Sequence, residues 1–328
     1  MVTTPPQRVR PLIVGRGAAG KALLHALAMY PDEVAPATWH ERGAPLPRPE
    51  HPDLALLVVA NPHALHAPRL REGAERGYRF AICEKPAAVD FDQIEALDGL
   101  PMATWVCHGY RLLWGPQELK RAIAAGRFGT LISIEGRYWQ SSATRTPTGG
   151  SWKDSPDLGG RFDVLLDLAT HWADLVTHLY GRPPDNTSVR RWFVNAAAPH
   201  RDTHVHLTME FGDLVSFGSI SKTVHGTGNR LELEIIGERA SASWSFERPD
   251  VIVWGNAGSR STQVRSDAAL PARPAPFHGL GWMEGYGRLV GEVVAHMHGS
   301  RAADAPTLQE HLAVLRCLLE AADREPAR

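Results

Sequence analysis

The sequence predicts an α/β plus α+β protein, in which a doubly wound parallel sheet is followed by a domain with an open, largely antiparallel β-sheet. In the first third of the chain, short apolar runs alternate with helical patterns, as in sheets that helices cover on both faces. From residue 109 onward, short alternating runs follow one another closely, which favours antiparallel pairing. We therefore predict two domains, residues 1–108 and 109–328, with the C-terminal helix able to pack back on the first.

Length and composition fit this organisation. The 328 residues are enough for two hydrophobic cores, and 43% of them are hydrophobic and 22% charged, as in ordinary globular proteins. A net charge of -1 gives no field that would gather nucleic acid or acidic lipid. No apolar stretch reaches the roughly 18 residues of a transmembrane helix. Residues 1–10 resemble neither a signal peptide nor a transit peptide. Three scattered cysteines suit a reducing compartment, so we expect a cytoplasmic protein. The near-neutral charge and the lack of a long apolar stretch predict no nucleic-acid or membrane partner.

The elements of the first domain follow from the alternation of apolar runs and helical stripes. The strands are predicted at residues 8–14, 34–39, 54–60, 80–83 and 104–107. Helices are predicted after the first strand and at residues 66–77 and 92–97. A proline-rich connection after residue 42 leaves no room for the usual second crossover helix.

In the second domain, a predicted helix and a long strand come before a polar loop and a strongly amphipathic helix. These segments are residues 116–125, 131–139, 140–160 and 162–179. Six strand-like runs follow, at residues 189–194, 204–211, 215–221, 231–236, 240–246 and 251–254. Two helices, at residues 283–297 and 307–322, close the chain.

A glycine motif lies between the first strand and the first helix. In Gly15-x-Gly17-x-x-Gly20, the glycines permit a tight turn and close approach of a pyrophosphate to the helix N-terminus. This context predicts a dinucleotide-binding Rossmann domain. After the second strand, Glu41 would accept hydrogen bonds from the adenosine ribose and repel a 2′-phosphate, whereas Arg42 could pair with one. The pair slightly favours NAD over NADP.

A lysine follows the fourth strand, in the sequence Cys83-Glu84-Lys85-Pro86. Ligands bind at this edge of a doubly wound sheet, because the carboxyl ends of the strands meet there. Lys85 could donate a hydrogen bond to a substrate hydroxyl and stabilise a developing alkoxide. A solvated surface lysine is the alternative.

The amphipathic helix carries a polar stripe. The i,i+4 spacing predicts that Asp167 and His171 share one face, with Asp163, Asp174 and His178 near it. A carboxylate beside a histidine fixes its tautomer and raises its basicity, which suits general acid/base catalysis. A structural hydrogen-bonded pair and a metal site at Asp167, His171 and Asp174 remain alternatives.

Taken in order, these motifs resemble the glucose-fructose oxidoreductase / inositol dehydrogenase (Gfo/Idh/MocA) family over nearly the whole chain. The most recognisable segments are residues 15–20, 61–68, 84–86, 109–111 and 167–174, with further likeness at 126–129, 158–160 and 236–240. The sequence departs from the family's pattern at Ala169, where glycine is common, and in the proline-rich segment after Arg42.

The resemblance implies hydride transfer between a nicotinamide and a carbon bearing a hydroxyl or ketone on a sugar, cyclitol or sugar derivative. The implied catalytic residues are Lys85, Asp167 and His171, where Lys85 polarises the reacting oxygen, His171 moves the proton and Asp167 supports it. The implied cofactor-binding residues are Gly15, Arg16, Gly17, Ala18, Ala19, Gly20, Glu41, Arg42, Asn61, Pro62, His63, His66, Glu84 and Lys85. The implied substrate-binding residues are Lys85, Tyr110, Arg111, Trp152, Asp167 and His171.

The family also implies a homo-oligomer, a dimer or tetramer, that forms through the outer face of the second-domain sheet. We expect no metal cofactor. Two other functions are open. The first is a non-catalytic sensor of dinucleotide or sugar with the same fold. The second is a metal-dependent hydrolase or lyase that uses the Asp/His stripe. The sequence does not choose between oxidation and reduction.

Overall fold

The computed structural model describes residues 7–144, 152–194, 201–266, 281–300 and 304–325. The chain divides into two compact units, one of residues 1–109 with 283–312 and the other of residues 110–282 with 313–328. The sequence prediction gave all of 109–328 to the second domain, whereas residues 283–312 belong to the first unit. Residues 145–151, in the predicted polar loop, lie outside the described residues.

The first unit contains a five-stranded sheet in the order β2-β1-β3-β4-β5, and every neighbouring pair is parallel. Its strands are β1 (Arg10–Val14), β2 (Thr38–Trp39), β3 (Ala55–Val59), β4 (Phe80–Cys83) and β5 (Ala103–Val106). Its first helices are α1 (Ala18–Leu27), α2 (His66–Arg76) and α3 (Phe91–Leu97). All five residues of β3 are buried, as expected for a central parallel strand with both faces covered.

Local interactions determine where several of these helices and strands begin or end. Gly77, at a φ of 94°, ends α2 in the left-handed conformation that favours glycine. The Asp90 side chain caps α3 by accepting a hydrogen bond from the backbone N–H of Gln93 at 2.8 Å. The predicted strand at 34–39 is shorter in the structure: Val34 makes only an isolated bridge to Val9, and β2 begins at Thr38. Pro36 lies between them and has no N–H to donate to a ladder.

The second unit contains an eight-stranded sheet in the order β13-β12-β11-β10-β6-β9-β8-β7. Only the pair of β6 with β9 is parallel among its described pairs. The strands are β6 (Leu131–Gln140), β7 (Asn186–Trp192), β8 (His204–Phe211), β9 (Leu214–Ser221), β10 (Asn229–Gly237), β11 (Ala240–Ser245), β12 (Arg248–Asn256) and β13 (Ser259–Val264). The predicted fold class is confirmed. The polar edge strand β13 was not predicted, because its sequence has no apolar alternation.

The helices of this unit are α4 (Trp114–Ala124), α5 (Pro156–Gly159) and α6 (Thr170–Tyr180). A π-helical turn, Leu165–Ala169, precedes α6, so the single predicted helix over 162–179 has an irregular first turn. The Trp172 indole anchors α6 to the sheet. It occupies the space left by Gly136 of β6 and Gly218 of β9, which pair directly with each other.

Two helices complete the chain, α7 (Gly281–Met297) and α8 (Leu308–Arg324). Within the first unit, α7 packs closely through small residues: a Cβ on Gly285 would lie 2.6 Å from the carbonyl oxygen of Gly109. The Tyr30 hydroxyl donates a hydrogen bond to the Gly287 carbonyl at 2.8 Å. These contacts explain why residues 283–312 belong to the first unit. Over the described part of the chain, no helix has the length and apolar character needed to cross a membrane.

Candidate active site

The glycine turn follows β1 and leads into α1. Gly15 has a φ of 107°, and a Cβ there would lie 2.2 Å from the Ala60 carbonyl oxygen. A Cβ on Gly20 would lie 1.9 Å from the Gly15 carbonyl oxygen. The fold therefore requires glycine at both positions. Gly17 differs, because its φ is -71° and a Cβ would meet no atom of the described residues within 4 Å.

The α1 N-terminus has no side-chain cap and no acidic residue in its first turn, so the start of the helix keeps its full positive dipole character. Ala18 and Ala19 begin the helix, and Arg16 is exposed, with its guanidinium 5.9 Å from the centre of the Trp39 ring. The free space at Gly17 and the backbone N–H groups at the start of α1 suit the pyrophosphate of a dinucleotide. The residues present therefore fit a dinucleotide.

Glu41 and Arg42 are both exposed and come directly after β2. The preceding residue, His40, is buried, and its Nε2 lies 3.0 Å from the Ala44 carbonyl oxygen. This contact holds the turn that presents Glu41 and Arg42. The structure places the two residues beside the end of β2, where the sequence predicted them.

The segment after β3 is held by a buried histidine. The Nδ1 of His66 lies 2.7 Å from the Pro86 carbonyl oxygen, and its Nε2 lies 2.7 Å from the Asn61 carbonyl oxygen. A neutral imidazole has only one N–H, so both contacts can be hydrogen bonds only when the ring is protonated. Burial opposes protonation and lowers the pKa of His66 to about 4. His66 has no exposed surface and fixes the exits of β3 and β4, which suits a positioning role better than direct contact with a cofactor.

Other residues of this segment have different environments. Pro62 precedes a short 3-10 turn that begins at His63, whose ring centre lies 5.9 Å from that of His66. Pro62 and Asn61 are half-buried, and His63 is buried. The segment therefore lies at the carboxyl end of β3, the same sheet edge as the glycine turn.

Glu84 and Lys85 follow β4 at this edge. Glu84 is buried, and its carboxylate accepts hydrogen bonds from the Tyr286 hydroxyl and, at 3.2 Å, from the backbone N–H of Lys85. Burial raises the pKa of Glu84, opposed by the Lys85 ammonium and by the hydrogen bonds that its carboxylate accepts. Lys85 itself is half-buried. Glu84 thus fixes the backbone that carries Lys85.

Two buried histidines support the same turn from behind. His311 Nε2 accepts a hydrogen bond from the backbone N–H of Ala87 at 3.0 Å, which requires that nitrogen to be unprotonated. The proton of a neutral His311 is then on Nδ1, which lies 2.7 Å from His108 Nε2. The chain Ala87–His311–His108 ties the residues after Lys85 to the exit of β5.

In the second unit, the irregular start of the α6 segment is capped by residues that precede β8. The Asp202 carboxylate accepts hydrogen bonds from the backbone N–H groups of Asp163 at 2.6 Å and Leu165 at 2.7 Å. The Arg201 guanidinium donates to the Gly160 carbonyl at 2.7 Å. Burial raises the pKa of Asp202, opposed by the two N–H donors. The two N–H contacts to Asp202 satisfy donors that a helix start leaves without partners.

Asp167 lies within the π-helical turn and is bound by two ammonium groups. Lys222 Nζ lies 2.6 Å from Asp167 Oδ2 and 2.6 Å from Asp163 Oδ1. Lys153 Nζ lies 2.7 Å from the same Asp167 oxygen. Sequence reasoning proposed His171 as the partner of Asp167 and did not find these lysines. Lys222 immediately follows β9, so no local spacing could have revealed it.

His171 lies in an aromatic environment. Its ring centre is 4.9 Å from that of Tyr110 and 6.0 Å from that of Tyr138, both in edge-on arrangements. The two tyrosine hydroxyls lie 2.8 Å apart, and Asn229 donates to the Tyr110 hydroxyl at 2.9 Å. Burial raises the pKa of Tyr110. The structure therefore brings together the predicted site residues Tyr110 and His171.

Arg111 and Asp174 form a buried ion pair, with Nη1 3.2 Å from Oδ1. Nearby, burial lowers the pKa of His178 to about 2, and the positive charges of Arg111 and Lys120 act in the same direction. The predicted substrate residue Trp152 is half-buried, and its ring centre is 5.7 Å from Lys153 Nζ. Lys153 thus links the environment of Trp152 to that of Asp167.

The polar stripe offers no metal centre among the described residues, since no group of three or more His, Cys, Asp or Glu side chains is arranged to hold an ion. Two of its carboxylates, Asp163 and Asp167, are bound to ammonium groups. The arrangement instead combines carboxyl groups, an imidazole and hydroxyl groups, which can orient polar molecules and move protons.

The two units define a class of fold: a parallel Rossmann-type domain together with a domain built on a large, mostly antiparallel sheet. Residues 117–243 match the GFO/IDH/MocA C-terminal domain family. This stretch of the chain matches that domain family, which confirms over these residues the resemblance drawn from the sequence motifs.

Solved structures have the same fold. An inositol dehydrogenase homologue from Azotobacter vinelandii, complexed with NAD+, superposes with a TM-score of 0.83 at 20% identity and covers 98% of this chain and 97% of its own. Levoglucosan dehydrogenase, complexed with NADH and levoglucosan, gives 0.81 at 22% identity and covers 98% of each chain. An oxidoreductase domain protein from Kribbella flavida gives 0.83 at 19% identity, covering 97% and 96%. No curated protein sequence matches the chain.

Proposed function

We propose that this protein is an NAD-dependent oxidoreductase that transfers hydride between the nicotinamide and a hydroxyl- or keto-bearing carbon of a sugar, cyclitol or sugar derivative. The observation that carries the proposal is the unfilled space around Gly17. The fold needs glycine at positions 15 and 20 for its own packing, whereas a side chain at 17 would project into open space. The open space at Gly17 leaves room for a molecule that approaches the start of α1.

NAD is the proposed cofactor. Its pyrophosphate would contact the turn from Gly15 to Gly20, and Glu41 would bind the adenosine ribose and repel the 2′-phosphate of NADP. The structures of fold neighbours with NAD+ and NADH support this choice. When bound, the nicotinamide supplies or accepts the hydride.

The chain's own residues would handle the oxygen and the proton. The Lys85 ammonium would donate to the reacting oxygen and stabilise negative charge on it. His171 would accept the hydroxyl proton in oxidation or return it in reduction, and Asp167 would orient the substrate or the imidazole. Tyr110 and Trp152 would contact the rest of a sugar-like substrate. The likeness to structures with bound levoglucosan and myo-inositol supports this substrate class.

The test is a fluorescence titration with NADH and NADPH, followed by assays with a panel of sugars and cyclitols in both directions. We expect NADH to bind more tightly than NADPH, and at least one panel member to be turned over. Lys85→Ala and His171→Ala should abolish turnover and change NADH affinity only a few-fold. Lys120→Ala and His225→Ala, which change the same residue types elsewhere, should retain activity. NADH binding without any turnover would favour the sensor alternative, and the absence of dinucleotide binding would overturn the proposal.

We further propose a homo-oligomer that forms through the outer face of the second-unit sheet. On β9, Gly218 faces Trp172, so the neighbouring Phe217 points to the opposite face, where it is exposed. Light scattering after gel filtration should give a dimer or tetramer, and Phe217→Arg should reduce the mass to that of a monomer.

A further inference from the structure

Lys222 is a buried cation held in a fixed position. Its backbone N–H donates to the Thr203 carbonyl at 3.0 Å, and its own carbonyl accepts from the N–H of Ala143 at 2.9 Å. The side chain is 6% exposed, and its ammonium lies 2.6 Å from both Asp163 and Asp167. A lysine loses much side-chain entropy when it is ordered in this way, so the contacts it makes must be strong.

We infer that Lys222 is a positioning residue for the reaction, which keeps the Asp167 carboxylate ionised and fixes its orientation. The inference rests on the proposed function, in which Asp167 acts beside the reacting group. Lys222 itself forms and breaks no bond in the reaction. Its part is to hold a negative charge where burial alone would disfavour one.

The physical argument begins with the two carboxylates. Asp163 and Asp167 both contact one ammonium group, so they are close together, with side chains 19% and 8% exposed. Like charges at that range raise the pKa of one carboxyl unless a cation lies between them. Lys222 is that cation. Burial disfavours its charged form, yet the two carboxylates raise its pKa, which shows that attraction outweighs desolvation.

The other charged and titratable groups around Asp167 do not replace Lys222. Lys153 contacts the same oxygen, but its side chain is 38% exposed, so its interaction with Asp167 is weaker than that of the buried Lys222. Arg201 lies 3.7 Å from Asp163 and donates to backbone carbonyls. Other groups near the two carboxylates include the Asp202 carboxylate beside Asp163, the hydroxyls of Tyr110 and Tyr138 and the imidazole of His171. The stripe also carries His178 and Asp174, which is paired with Arg111. Among the described residues, Lys222 is thus the buried cation shared by both carboxylates.

The decisive experiment follows the Asp167 carboxyl directly. Protein labelled with 13C at the aspartate carboxyl carbons is titrated by NMR without cofactor or substrate, and an Asp167→Asn variant assigns the signal. In Lys222→Met we expect the Asp167 midpoint to rise by about one pH unit or more. Lys222→Arg, which keeps the charge, should restore a midpoint close to that of the wild type. Arg265→Met removes another poorly exposed cation, paired with Asp250 at 3.3 Å, and should leave the Asp167 midpoint unchanged.

Kinetics provide the second measurement. In Lys222→Met we expect kcat to fall by at least about tenfold, the acid limb of its pH profile to move upward, and NADH affinity to stay within a few-fold. Lys222→Arg should recover most of kcat. A lysine that only supports folding would lower the yield of active protein but would not move the pH profile.

A second variant, which should shift the Asp167 midpoint in the opposite direction, tests the inference if Lys222→Met does not fold. Asp163→Asn removes the carboxylate that competes for Lys222, so the Asp167 midpoint should fall. An unchanged Asp167 midpoint in this variant, or in a folded Lys222→Met, would overturn the inference. Because the NMR titration needs no turnover, it still decides the role of Lys222 if the protein proves inactive and the proposed function fails.

Discussion

Arg111 and Asp174 form an ion pair in which each side chain is only 3% exposed, with 3.2 Å between the guanidinium and the carboxylate. The sequence resemblance implied that Arg111 lines the substrate pocket. In the structure, its charge is matched by the Asp174 carboxylate on α6. A buried charge that loses its partner keeps the cost of desolvation and loses the attraction that offset it. We therefore expect the protein to lose stability when one partner of the pair is removed.

Arg111→Met should lower the free energy of unfolding by about 3–5 kcal/mol, because it leaves Asp174 buried without this partner. The double variant Arg111→Met/Asp174→Leu should recover most of the loss, since neither charge remains. Chemical denaturation measures both changes. Arg182→Met, in an exposed pair with Asp185, serves as the control and should change little. If the stable double variant binds substrate with an unchanged KM, Arg111 is structural. A large rise in its KM would instead support the substrate role.

The sequence was sufficient for the architecture of the first unit because its signals are local. The apolar run in β3 and the glycine turn after β1 each identify an element within a few residues. The second unit was predicted in outline, since alternation identifies strands but not their order. The parallel pair of β6 and β9 joins segments far apart in the chain, and no turn links them. Likewise, the helical pattern over residues 283–297 does not by itself indicate that this helix packs with the first unit.

Gly218→Ala should destabilise the second unit by about 1–3 kcal/mol or more, because the new Cβ would lie 2.4 Å from Trp172 Nε1. Displacing the indole would also move its neighbour His171, so we expect kcat to fall more than KM rises. Thermal unfolding and steady-state kinetics test the two parts. Gly228→Ala is the matched control, since a Cβ there meets no described atom within 4 Å. Wild-type stability in Gly218→Ala would contradict the packing described for Trp172.

Gly17→Ala separates the binding role of the glycine turn from its folding role. The backbone at Gly17 suits alanine, and the added methyl group has space in the protein alone, so the unfolding transition should stay within error of the wild type. A bound dinucleotide would need that space, so we expect NADH affinity to fall by at least about tenfold. Gly20→Ala should instead impair folding, because its Cβ would overlap a carbonyl oxygen. Unchanged NADH affinity in Gly17→Ala would argue against the proposed cofactor position.

The candidate site was harder to predict than the fold, for a reason visible at Asp167. The i,i+4 rule assumes a regular α-helix, whereas Asp167 lies in a π-helical turn that alters the spacing of side chains. Its ammonium partners come from Lys153, on a short turn, and from Lys222, after β9. Asp202, which caps the same segment, precedes β8. Partners that meet only after the sheet has formed leave no periodic signal in the sequence.

The buried imidazole of His66 should make the free energy of unfolding depend on pH. Burial lowers its pKa from 6.5 to about 4 in the folded protein, so between these values the unfolded chain binds a proton that the folded chain does not. His66 therefore makes its full contribution to the free energy of unfolding above pH 6.5. This contribution falls by up to roughly 3 kcal/mol as the pH decreases towards 4. Urea denaturation from pH 7.5 to 4.5 should show this loss in the wild type.

His66→Gln removes the titrating group and identifies its share of that loss. At pH 7.5 the variant should be less stable than the wild type, because the smaller, flexible glutamine side chain would not fill the fully buried space of the imidazole. As the pH falls, the wild type alone loses the His66 contribution, so the gap between the two proteins should narrow. His225→Gln, at an exposed position, should keep the wild-type dependence. A gap that stays constant from pH 7.5 to 4.5 would mean that His66 titrates alike in the folded and unfolded states. Its imidazole could then not be held neutral between the ends of β3 and β4.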